Sequence, residues 1–334
     1  MYNVYQHWDP LKVCIVGRSY SPEFYGVIAN PRIRNILERI ARETEEDYQK
    51  LIKLLESFGV KVLRPEVSDN YRDYLNSEGK IKPPPMNPRD YSIMIGNTFY
   101  FNTFHAKNLE TSFVNVIDDI TKHSNVVLNK RFAGCTTTRI GKDLYFGRDH
   151  VSGNPAVLQK LIQSMFTNHR CHVIDLIGHT DGVFNPVVPG LIVSLLDIPT
   201  YADTFPGWEV VYLPHQGWSK IKPFLELKKK NKGKWWVPGE EFNDEFTTFV
   251  EEWLDHWVGY VEETVFDVNM LVIDKKNVVC NGYNKDVFDA FARYGITPHI
   301  INFRHRYFWD GGLHCITSDV HRIGTMEDYF PNRS

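Results

Sequence analysis

Apolar residues recur at three- and four-residue steps between Ile33 and Phe58. Ile33, Leu37, Ile40, Thr44, Tyr48, Leu51, Leu55 and Phe58 share one face and charges fill the other. That spacing predicts a long amphipathic helix, stopped by Gly59. Continuous apolar runs on either side, KVCIVGR (12–18) and VKVLRP (60–65), predict buried strands. The stretch Ser68–Pro88 is polar and carries Pro83, Pro84 and Pro85, which predicts an irregular loop long enough for a lid or substrate-facing flap. Tyr91–Tyr100 reads as a hairpin turning at Gly96 and Asn97. Leu109–Lys122 reads as a helix, and Phe132–Phe146 as a hairpin turning at Gly141 and Lys142. Ser152, Asn154 and Pro155 signal a helix start, with Val157, Leu158, Leu161, Ile162, Met165 and Phe166 as its buried stripe. Cys171–Ile177 is a strand leading into His179. Phe184–Leu195 is strand-like, interrupted by Pro186, Pro189 and Gly190. A strand at Glu209–Leu213, a helix at Glu240–Trp257 with packing tryptophans and a hairpin at Val268–Cys280 follow. A helix at Lys285–Tyr294 and a strand at Thr297–Phe303 complete the chain's elements.

The recurring unit is a hairpin, a helix and one more strand, roughly once per 60 residues. No sequence-level repeat underlies it. The order is not a plain Rossmann alternation, and neither GxGxxG nor GxxxxGK[ST] occurs, so no nucleotide motif is present. With 334 residues, 43% hydrophobic and 24% charged, the composition is that of an ordinary globular protein. A formal charge of −3 gives no footprint for nucleic acid or an anionic membrane. The single basic cluster, Lys228–Lys234 beside Trp235 and Trp236, reads as a solvated loop. The five cysteines lack any CxxC pair and are odd in number, which predicts reduced thiols in the cytoplasm. MYNVYQHWDP has neither the basic start nor the apolar run of a signal peptide.

Candidate chemistry concentrates in GGLHCITSDVHRIG (311–324). Cys315 follows a glycine pair, and glycines allow backbone to pass close to a bound substrate. A distant histidine is the ordinary partner of a nucleophilic cysteine, and GHTDGVF offers His179 with Asp181 two residues on. Taken alone, Cys315 also reads as a small buried hydrophobe. Cys14, Cys135 and Cys171 lie in apolar contexts and read as core. His169 and His172 lack a second pair with which to form a metal site.

GGLHCITSDVHRIG resembles the C-terminal signature of the arginine:glycine amidinotransferase family, a GGG-aromatic-HC-x-T-x-D motif followed by basic residues and glycine. HWDPLKVCIVGR is similar to that family's first strand, NPRDYSIMIGN to its PRD-strand-GN motif, and GHTDGVFNPVVPGL to its HxD-strand-PG motif. The four occur in the family's order over nearly the whole chain. The family belongs to the pentein superfamily, with arginine deiminases and dimethylarginine hydrolases. The resemblance implies one domain over residues 1–334, a five-bladed α/β propeller of ββαβ modules around a central site.

It also implies roles. Cys315 is the nucleophile, His179 the general acid/base, and Asp90 and Asp181 hold the guanidinium. No cofactor and no metal are implied. The substrates are small molecules, an arginine-like donor and an amine acceptor; a homodimer is left open. Two departures stand out. The family's F-D-A-A-D strand, whose acids orient the histidine, is FAGCT here, so its acidic positions fall on Ala133 and Thr136. The family's carboxylate-gripping arginine falls on Ile198, and a following serine falls on Asp267. Losing an arginine and gaining an aspartate points to a cationic amine acceptor rather than glycine. A guanidine-modifying hydrolase and a non-catalytic binding protein are the alternatives.

Overall fold

The computed structural model describes residues 1–104, 106, 109–148, 155–177, 179–195, 201–213, 237–240, 243–254 and 267–333. Ser152, Asn154, Ile198, Lys228–Lys234, Trp235, Trp236 and Trp257 lie outside them.

Leu11–Val16 forms β1, and the helix Pro31–Ser57 follows it. The helix starts at Pro31 because Asn30 caps it, accepting from the N–H groups of Arg32 and Ile33. Its stripe from Ile33 to Leu55 is buried in one cluster with Leu11, Cys14 and Val16 of β1. Gly59 closes it at φ 72°, a left-handed conformation that suits glycine. β2 (Lys61–Leu63) then returns parallel to β1.

The same unit recurs four more times. Its strands are β3 (Ser92–Ile95), β4 (Thr98–Asn102) and β5 (Asn125–Asn129), then β6 (Thr137–Ile140), β7 (Asp143–Arg148) and β8 (Arg170–Ile177). β9 (Phe184–Val188), β10 (Leu191–Ser194) and β11 (Glu209–Tyr212) come next, then β12 (Leu271–Asp274), β13 (Asn277–Cys280) and β14 (Thr297–Ile300). In each unit the leading strand pairs antiparallel with the middle one, and the middle one parallel with the last. The first unit alone takes its leading strand from the far end of the chain: β15 (Thr317–Arg322) pairs antiparallel with β1. This arrangement of five three-stranded sheets is a five-bladed α/β propeller.

The leading strands converge on a buried ionic hub. Asp319 on β15 accepts from Arg89, from Arg139 on β6 and from Arg322, all about 1–2% exposed. Burial alone would raise the Asp319 carboxyl, but Arg139, Arg322 and Arg89 hold it well below the usual range. Arg322 also donates to the carbonyls of Val272 and Ile273 on β12.

Several sequence expectations need correction. Residues 68–88 are not a free lid: Tyr74, Ile81 and Met86 are buried in the core, and Ile81 bridges to Leu75 and Leu254. The helix Pro155–Met165 buries only one ridge. Val157 is 64% exposed and Met165 38%, while Leu158, Ile162 and Phe166 pack inward. Residues 240–257 contain a shorter helix, Asp244–Trp253, and Trp253 is exposed rather than packed. The strand β5 was not anticipated. Among the described residues, no helix is long and apolar enough to cross a membrane.

Candidate active site

The turn before each leading strand carries polar residues toward one centre. Asp90 ends the 3-10 turn Pro88–Asp90 before β3. Cys135 lies in Gly134–Thr136 before β6, and Asp181 in Thr180–Gly182 before β9, with His179 at that turn's N-cap. Asn269 stands just before β12 and Cys315 just before β15.

These turns are locked together by side chains that donate to backbone carbonyls. Arg89 Nε donates to the carbonyl of His314, which ties the Asp90 turn to the Cys315 turn. Thr180 Oγ1 donates to the carbonyl of Cys135 at 2.9 Å, joining the Cys135 and Asp181 turns. Gly134 permits the close approach: a Cβ there would lie 2.6 Å from the Ser92 carbonyl oxygen. Thr317 Oγ1 donates to the carbonyl of Leu313 and closes the turn that carries Cys315.

Cys315 is 1% exposed. Asn269 holds it from three directions. Its Oδ1 accepts from the N–H groups of His314 and Cys315, at 2.9 and 3.1 Å, and its Nδ2 donates to Cys315 Sγ at 2.9 Å. A donor aimed at sulfur stabilises negative charge on it. Asp181 Oδ2 lies 3.6 Å from the same sulfur and 2.7 Å from His314 Nδ1. Burial, with Arg89 nearby, keeps the His314 imidazole well below its ordinary pKa and therefore neutral. The Asp181–His314 contact is thus a hydrogen bond to a neutral imidazole rather than an ion pair. Asp181 Oδ1 is buried without a hydrogen-bond partner. Burial, reinforced by Asp90 and opposed by His179, pushes Asp181 up to about 7.

His179 Nδ1 stands 3.9 Å from Asp90 Oδ1. Ligand-capable atoms of Asp90, Cys135 and His179 all fall within 4.8 Å of one another. Among the described residues this is the group able to hold a metal ion, so His169 and His172 do not form one. His172 instead contacts Asp143 at 2.6 Å, in a network with Arg170 and Arg333.

The structure therefore brings together Cys315, Asp181, His179 and Asp90. Thr136 follows Cys135 in its turn, but its hydroxyl is committed to that turn, donating to and accepting from Ala133. Asp267 is not in the hydrogen-bonded set around Cys315; it accepts from Asn284, the cap of the helix Lys285–Tyr294. Asn269 and Cys135 were missed. Asn269 had one signal, a lone amide inside the apolar run Val268–Ile273. Cys135 was read as plain core; it is buried, but its thiol is grouped with Asp90 and His179.

No family model matches the chain. It is 23% identical to the mitochondrial glycine amidinotransferase of Xenopus tropicalis, over 98% of this chain and 84% of that protein. It is 21% identical to the L-arginine:L-lysine amidinotransferase of Pseudomonas savastanoi pv. phaseolicola, over 85% of this chain and 80% of that one. The inosamine-phosphate amidinotransferase of Streptomyces griseus superposes with a TM-score of 0.70 at 18% identity, covering 98% of this chain and 99% of its own. The dimethylarginine dimethylaminohydrolase of Pseudomonas aeruginosa superposes less closely, with a TM-score of 0.57 at 9% identity over 93% of this chain and 99% of that one. In sequence the chain is similar to amidinotransferases, and in architecture it has their pentein fold.

Proposed function

We propose that the protein moves an amidino group from arginine, or a related guanidine, to a primary amine through an amidino-thioether on Cys315. The observation that carries this reading is the arrangement at the sulfur: Sγ held by Asn269 at 2.9 Å, with the Asp181 carboxylate 3.6 Å away. A guanidinium is planar and presents paired N–H donors, which a carboxylate accepts with good geometry. Asp181 Oδ1, buried and otherwise unpartnered, supplies one acceptor, and Asp90 supplies a second carboxylate. Held between them, the guanidinium carbon is fixed over the sulfur.

The steps follow from those positions. The Cys315 thiolate adds to the guanidinium carbon and forms the C–S bond. His179 gives a proton to the departing amine as the C–N bond breaks. The acceptor amine then adds to the thioether carbon, its proton passes to His179, and the thiolate leaves. Asp90 takes the place of the acid lost at Thr136: it is the carboxylate beside His179, so one side chain both binds the donor and supports the imidazolium. Small molecules are the only partners this chemistry requires. That the five cysteines are all buried thiols supports a reducing compartment such as the cytoplasm.

The test is product analysis with arginine as donor and a panel of amines. Ornithine accumulating in step with an amidinated amine is expected. From the departures at Ile198 and Asp267, a diamine should outperform glycine. Citrulline without amidinated product would make the protein a hydrolase, and neither product would make it a binding protein.

A further inference from the structure

Asp90, Cys135 and His179 stand on three adjoining turns, and their ligand-capable atoms lie within 4.8 Å of one another. The proposed transfer uses Asp90 and His179 but gives Cys135 no task. Nor is the thiol part of the motif this stretch resembles, where alanine occupies the position. The turn is nonetheless built to hold it. Gly134 packs against Ser92 and Arg89, and the Cys135 carbonyl is fixed by Thr180. Cys135 itself is 2% exposed, whereas the His179 side chain is 41% exposed, so the cluster is reached from the histidine side.

A thiolate, an imidazole and a carboxylate form a three-ligand set that suits zinc, with a fourth tetrahedral position for water. The sulfur disfavours magnesium and calcium, which prefer all-oxygen shells. Ligand atoms around tetrahedral zinc are about 3.5 Å apart, from bond lengths of about 2.0–2.3 Å. The observed His179–Asp90 separation of 3.9 Å is close to that spacing. We propose that Asp90, Cys135 and His179 form an inhibitory zinc site overlapping the donor pocket. On binding, the Cys135 thiol releases its proton to solvent and three protein–metal bonds form, with no change of oxidation state. The ion then occupies the carboxylate and the imidazole that donor binding and proton transfer require. The inhibitory effect rests on the functional reading above; the binding itself does not.

The experiment titrates Zn2+ alone into the metal-free, full-length protein against a chromophoric chelator, at pH 7.5. One zinc per chain is expected. Cys135→Ser, which nearly preserves volume, should weaken binding by about 100-fold or more, as loss of a thiolate ligand should exceed the effect of losing an outer-shell partner. Cys135→Ala should do the same, with melting curves checking that each variant is folded. Cys315→Ala should bind zinc as the parent does. In an activity assay, zinc should compete with the donor for the parent and lose its effect on Cys135→Ser. Parent-like zinc affinity in a folded Cys135 variant would overturn the proposal. So would loss of binding in Cys315→Ala, which would put the metal on the nucleophile. If the protein proves inactive, the chelator titration still decides whether the site exists.

Discussion

Asn269 is the residue on which the geometry of Cys315 depends. It fixes the backbone before the sulfur through Oδ1 and the sulfur itself through Nδ2. A hydrogen bond to a charged group contributes about 1.5–3 kcal/mol. Asn269→Ala should therefore slow adduct formation on Cys315 by about 10- to 150-fold, read by quenched-flow mass analysis; an unchanged rate would remove Asn269 from the site. Asp181 gives a prediction in pH. Its carboxyl is pushed up to about 7, and only the ionised form holds a cation, so donor affinity should rise as pH climbs through 7 and level off above. The same shift sets the sign for stability. A carboxyl raised above its unfolded value binds its proton more tightly in the native state. Native stability then falls between about pH 4, where the unfolded chain ionises, and about pH 7. Asp181→Asn should remove that penalty: it should melt above the parent at pH 8, match it more nearly at pH 4, and fail to take up donor. A melting difference independent of pH would contradict the assignment.

At the scale of the element, each functional side chain sits on the turn before a leading strand, where the backbone is fixed by the sheet that follows. Gly134 shows how closely these turns fit. A methyl group there would meet the Ser92 and Arg89 carbonyl oxygens at 2.6 and 3.0 Å, both backbone and unable to swing away. Gly134→Ala should displace the turn that faces Asp90, cutting turnover by at least about tenfold while secondary structure by circular dichroism persists; full activity would show that the turns tolerate separation. Asp90, His179, Asp181 and Cys315 were singled out because the motifs that hold them resemble, in order, those of the amidinotransferase family, and the structure groups them. Asn269 and Cys135 were not, because a single polar residue in an apolar run has no spacing to read. The buried stripe of the helix Pro155–Met165 was drawn too wide for a related reason. Val157, Leu161 and Met165 obey helical periodicity as well as Leu158, Ile162 and Phe166 do, and only packing against the sheet chooses between the two ridges. β5 escaped because Asn125–Asn129 is short and presents Val127 and Leu128 to solvent.

For the whole molecule, the decisive feature is closure. β15 completes the first blade beside β1, so the turn that carries Cys315 is anchored by a pairing between strands near the two ends of the chain. The recurring hairpin–helix–strand unit was visible in the sequence, but a strand supplied from more than 300 residues away was not, since periodicity reports only on neighbours. Asp319 on that strand is surrounded by three buried guanidiniums. Removing one member of a buried ionic set leaves the others uncompensated, at a cost of about 3–5 kcal/mol. Asp319→Ala should lower unfolding stability by at least that amount. If residues 1–334 are one domain, as we propose, the parent should unfold in a single transition; two separated transitions would divide it.

The central claim is covalent transfer through Cys315, and intact-protein mass spectrometry after brief incubation with arginine tests it most directly. The account predicts an added amidino group, located on the Cys315 peptide, that is discharged by a primary amine and absent from Cys315→Ala. Turnover of arginine without any such adduct, or turnover retained by Cys315→Ala, would contradict it.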